Sequence, residues 1–74
     1  MPRYRINDFN YFIDCKKVTV EEYLKAVEKE AVLNGYPRYK AKQIVAQDRR
    51  TAYIVGEQVW TCMDGTELMI VRGI

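Results

Sequence analysis

The chain has 74 residues, 49% of them hydrophobic, with twelve Lys and Arg against ten Asp and Glu. This is the size of one small domain, 1–74; it has no apolar run near the ~18 residues of a membrane span. A net charge of +2 excludes a strong bulk field for nucleic acid or lipid, leaving only local clusters to serve such partners.

The opening Met1-Pro2-Arg3-Tyr4-Arg5 is not followed by an apolar stretch, so no signal peptide is expected. A short strand is read at 4–6, with Asn7-Asp8 as a tight turn or a bulge. Phe9, Tyr11 and Ile13 then alternate with Asn10, Phe12 and Asp14, the period of a strand. Cys15-Lys16-Lys17 reads as the loop leading on.

The central helix carries the strongest local signals. Thr19 with Glu22 forms a capping box, Val18 and Tyr23 occupy the hydrophobic-staple positions, and Asn34-Gly35 followed by Pro37 is a stop. A helix over about 20–33 places Val20, Tyr23, Leu24, Val27 and Ala31 on one face, with Glu21, Lys25 and Lys29 on the other. Leu33 falls off that stripe and is either exposed or gathered in by a fraying last turn.

Residues 38–50 fit two patterns. Ala41, Ile44, Val45 and Asp48 are helically spaced, yet the β-branched Ile44-Val45 pair before Asp48-Arg49-Arg50 suits a strand turning into Thr51. The strand, over about 43–47, is the reading adopted because it extends a meander. Gly56-Glu57 fits a type II′ turn and Asp64-Gly65 a type I′ turn, giving strands at about 51–55, 58–63 and 66–71. Two-residue loops set Tyr53 opposite Trp60 and Trp60 opposite Met69. One face then collects Ala52, Ile54, Val59, Thr61, Met63, Leu68 and Ile70, and the other is built around Tyr53, Trp60 and Met69. The expected fold is α+β: an antiparallel meander of three to four strands, one helix on its aliphatic face, and an N-terminal strand or hairpin. One helix covers one face, so the Tyr53-Trp60-Met69 face needs the N-terminal segment, a second copy or another molecule as its cover.

Catalytic equipment is sparse. Histidine and serine are both absent from the chain, removing the commonest general base and hydroxyl nucleophile. Cys15 beside Lys16-Lys17 is a weak thiolate candidate, better read as an ordinary loop cysteine. The acidic pairs Glu21-Glu22 and Glu28-Glu30 do not share a helix face. Two cysteines 47 positions apart offer no zinc spacing, and the isolated glycines form no phosphate loop. The expectation is therefore no enzyme, no catalytic residue, no metal, no cofactor and no small-molecule substrate. Two reduced thiols and the lack of a secretory signal point to the cytoplasm.

Two functions fit. The first is a non-enzymatic protein-interaction module that occludes or bridges a protein partner or a second copy of itself. Compact domains of this kind serve phages and mobile elements as inhibitors of host or defence proteins. Tyr53, Trp60 and Met69 would anchor the contact and Arg49 and Arg50 would steer it. The second is a small DNA-binding regulator of winged helix-turn-helix, excisionase-like type, using Arg38, Lys40, Lys42, Arg49 and Arg50. A helix across 38–48 favours DNA and a strand favours the interaction module.

Overall fold

The computed structural model describes residues 5–73. After a 3-10 turn at Ile6–Asp8 come strands β1 (Phe9–Ile13) and β2 (Lys16–Val18), helices α1 (Val20–Leu33) and α2 (Lys40–Val55), then strands β3 (Glu57–Thr61) and β4 (Glu67–Arg72). The strands form one antiparallel sheet in the order β2-β1-β4-β3. The class is α+β, with two helices where one was expected.

β1 is the expected strand, but its partner was not foreseen. Asp14 and Cys15 both adopt positive φ, 50° and 68°, as a type I′ hairpin turn requires. They turn the chain into β2, which pairs Ile13 with Lys16 and Tyr11 with Val18, so of the expected loop at 15–17 only Cys15 lies in the connection and Lys16 and Lys17 are strand. Asn7-Asp8 lies in the 3-10 turn; of the strand read at 4–6, Tyr4 is outside the described residues and Ile6 belongs to that same turn.

Helix α1 begins as its capping box dictates. The Thr19 hydroxyl accepts from the Glu22 amide, and the Glu22 carboxylate accepts from the Thr19 amide. It ends in a Schellman motif, Tyr36 N–H to Ala31 carbonyl and Gly35 N–H to Val32 carbonyl, with Gly35 at φ +86°. Tyr23, Val27 and Ala31 are buried as the periodicity required, and Leu33 is exposed.

Residues 40–55 correct the strand reading. They form one helix that absorbs both the fourth strand at 43–47 and the strand at 51–55. Ala41, Val45 and Ala52 supply its buried stripe, and packing that stripe outweighs the β-preference of Ile44-Val45. Gly56 is accordingly no hairpin turn. It caps the helix at φ +108°, its N–H bonded to the Ala52 carbonyl at 2.7 Å.

The β3–β4 hairpin forms, but one residue out of the expected register. Cys62 N–H bonds the Thr66 carbonyl and Gly65 N–H bonds the Cys62 carbonyl, with Gly65 at φ +91°. That is a three-residue loop, Met63-Asp64-Gly65, in which glycine takes the left-handed position. Trp60 now pairs with Leu68, and Val59 with Met69. A one-residue slip exchanges the two faces of a strand, so the Tyr53-Trp60-Met69 face does not exist.

One sheet face, with Phe9, Tyr11, Leu68 and Ile70 buried, holds the core against Tyr23 and Val27 of α1 and Val45 and Ala52 of α2. Trp60 shares this face. The other carries Asn10, Phe12, Val59, Met69 and Val71, none of them buried.

Candidate functional site

The structure scatters the residues expected to act together. Trp60 sits on β3 beneath the helices, half-buried against the core. Met69 is on the opposite sheet face beside Phe12 and Val59. Tyr53 is in the last turns of α2, where its carbonyl accepts from the Arg72 guanidinium at 2.7 Å.

The cations are divided as well. Arg38 precedes α2 and pairs with Glu28 at 3.5 Å. Arg49 is turned inward beside Tyr11, whose hydroxyl pKa is raised by burial, an effect partly offset by the Arg49 guanidinium. Lys40 points to the opposite flank of α2, while Lys42 and Arg50 are exposed. At helical spacing the outward ridge of α2 is Gln43, Gln47, Arg50 and Ile54, all exposed. Charge on this ridge is confined to Arg50.

A cleft of about 390 Å³ lies between the turn after α1, α2 and β3. Its walls include Tyr36 and Ile44, with Trp60 and Gln58 from β3 and Lys40 and Asp48 from α2. Tyr36, Ile44 and Trp60 supply apolar surface and Lys40, Asp48 and Gln58 polar groups, a mixed lining that can take a side chain with a polar end. Three facts of the fold build it: the Schellman turn delivers Tyr36, α2 runs back over β3, and the register turns Trp60 and Gln58 toward the helices.

Asp48 gives the cleft its electrostatic character. Its Oδ2 is buried without a hydrogen-bond partner, and burial raises the carboxyl pKa above the usual range. In the core, the Tyr23 hydroxyl also lacks a partner; burial raises its pKa, with the Asp48 charge adding to the effect.

Beside the cleft runs β3, an edge strand of the sheet among the described residues. Arg72 N–H bonds the Gly56 carbonyl and Cys62 N–H bonds the Thr66 carbonyl, so along β3 the bonds into β4 are made by Gln58 and Trp60. The main-chain groups of Glu57, Val59 and Thr61 therefore point away from β4, at the sheet edge. All three residues are exposed.

Chemically reactive groups do not converge here. Cys15 is exposed at the β1–β2 turn, and Cys62 is buried with its thiol pushed up to about 11 by burial and the nearby Glu30 carboxylate. Among the described residues no group of three or more His, Cys, Asp or Glu is placed to hold a metal ion, and no helix is long and apolar enough to cross a membrane.

Of these features the sequence flagged Trp60, as an anchor, and Lys40, among the basic residues of the DNA-binding alternative. Ile44, Asp48 and Gln58 were missed because they meet only once 40–55 is helical. The spacing of Ala41, Val45 and Ala52 was the available signal. Compared with protein-family models, curated proteins and solved structures, the chain matches none.

Proposed function

We propose that this domain is a non-enzymatic protein-interaction module whose contact surface is the β3 edge together with the cleft beside it. The observation that carries the reading is the juxtaposition of outward-facing main-chain groups at Glu57, Val59 and Thr61 with a cleft lined by Trp60, Tyr36 and Ile44. An added strand gains affinity from edge hydrogen bonds and specificity from a pocket that takes one of its side chains. The anchor among the residues first nominated is Trp60; Tyr36, 52% exposed, joins it in place of Tyr53 and Met69. A module of this size acts by occluding or bridging what it binds, the mode of an inhibitor.

Recovery of a partner from extracts of the native host tests this with paired variants. Tyr36→Ala and Gln58→Lys should abolish recovery, whereas Lys17→Ala and Met69→Leu, on the open sheet face, should leave it intact. Equal recovery by all four variants would sink the reading.

The DNA-binding alternative gains from α2 being helical, with Gln43, Gln47 and Arg50 on its outward ridge as potential base-edge contacts. Against it, Arg38 is paired with Glu28, Arg49 faces Tyr11, and the tip of the β3–β4 hairpin carries Asp64 in place of a basic wing. It requires duplex binding whose log affinity falls steeply with log salt and is lost in Arg50→Ala.

A further inference from the structure

The two edges of the sheet are unequal. β2 is three residues long and carries Lys16 and Lys17, the short, charged form that discourages strand addition. β3 has five residues, Glu57-Gln58-Val59-Trp60-Thr61, without lysine or proline. Its outward N–H and C=O groups at Glu57, Val59 and Thr61 are a complete pairing template. Its one charged side chain, Glu57, stands at the end of the strand.

We infer that the occupant of this edge is the β3 strand of a second copy, paired antiparallel about a two-fold axis at Val59. This rests on the reading of the β3 side as the contact surface, and it names the partner and its register. The register follows from which groups face outward. Val59 pairs with Val59 and Glu57 with Thr61 of the other copy, so all three outward residues of both strands are used, giving roughly six main-chain hydrogen bonds. Charge agrees: the two Glu57 side chains stand at opposite ends, about 13 Å apart at strand rise, beyond the screening length of physiological salt. Sliding the strands until Glu57 opposes Glu57 would both juxtapose the carboxylates and waste the other outward groups.

The helices fit the same symmetry. α2 rests on both β3 and β4, so with strands about 4.8 Å apart the two copies of α2 would stand about 10 Å apart, the distance of packed helices. The flank of α2 away from Arg49 and β1 carries Lys40, Ile44 and Asp48. In an antiparallel crossing, Lys40 of one copy approaches Asp48 of the other, supplying an unlike charge to a carboxylate whose Oδ2 has no partner in the single chain. Trp60 gains Gln58 of the second copy as its cross-strand neighbour.

Light scattering after size-exclusion chromatography, at concentrations up to hundreds of micromolar, should give twice the chain's 8.7 kDa. Amide exchange read by NMR should show the Glu57, Val59 and Thr61 amides becoming protected as concentration rises. Val59→Pro removes an outward N–H while leaving the bonds of Gln58 and Trp60 to β4, so it should weaken self-association by roughly tenfold or more. Should that variant fail to fold, the concentration-dependent exchange of the wild-type amides decides. A monomer with unprotected Val59 and Thr61 amides overturns the inference, as does a dimer that Val59→Pro leaves unchanged. A monomer whose partner recovery is still lost in Tyr36→Ala overturns self-pairing and leaves the interaction module standing.

Discussion

Asp48→Asn should make the protein more stable at neutral pH although it removes a charge from a surface helix. The substitution keeps the shape of a side chain whose Oδ2 is buried and unpartnered. A buried, unpartnered charge costs more than the neutral amide that replaces it, and the partial exposure of Asp48 keeps the expected gain to about 1 kcal/mol. Burial raises the folded-state carboxyl pKa above its ordinary value of 3.8. Between the unfolded and folded values the native state therefore holds more protons than the unfolded one, and the stability of the wild-type protein falls as pH rises through that window. Asn does not titrate. The advantage of the variant should be full at neutral pH and vanish below the unfolded value, where the wild-type carboxyl is protonated in both states. For a domain of this size, about 1 kcal/mol corresponds to roughly 4–8 °C in Tm. Thermal unfolding by far-UV circular dichroism at pH 7.5, 5.5 and 3.5, at dilution that keeps the chain monomeric, measures it. A variant less stable at pH 7.5, or one with the same gain at pH 3.5, would show that the carboxylate is satisfied in the native state.

Leu68→Ala should cost about 3 kcal/mol, because Leu68 is fully buried between Ile13 and Trp60; urea denaturation showing less than about 1 kcal/mol would contradict the core assignment. Gly56→Ala meets no atom within 4 Å, so its penalty comes from φ +108° alone and should be about 1 kcal/mol or more. A neutral effect on Tm would mean that α2 does not end there. Ellman's reagent at pH 8 should modify Cys15 alone in the native protein and both thiols in denaturant, since Cys62 is buried and its pKa is pushed up to about 11. Fast labelling of two thiols in the native state would remove Cys62 from the core.

Where local chemistry decides structure, reading along the chain was sufficient. The boundaries of α1 follow from Thr19-Glu22 at one end and Asn34-Gly35 at the other, because capping bonds and a left-handed glycine act within a single turn. The alternation of Phe9, Tyr11 and Ile13 marked β1 for the same reason, and Asp64-Gly65 marked the β3–β4 reversal. The β1–β2 turn escaped because Asp14-Cys15 adopts positive φ without a glycine to announce it.

Tertiary structure alone decided the rest. Residues 40–55 satisfy both a helical and an extended pattern, and the buried stripe of Ala41, Val45 and Ala52 tips them to helix only because a sheet is there to receive it. One extra residue in the 63–65 loop then moves Trp60 from a supposed outer face to the cleft and Met69 away from it. Side-chain direction alternates with every residue of a strand, so an error of one in register inverts a surface. The presence of a hairpin was legible from Asp64-Gly65. Which face Trp60 occupies, and that β3 ends the sheet among the described residues, depended on long-range pairing of β4 with β1 that no local signal in the chain specifies.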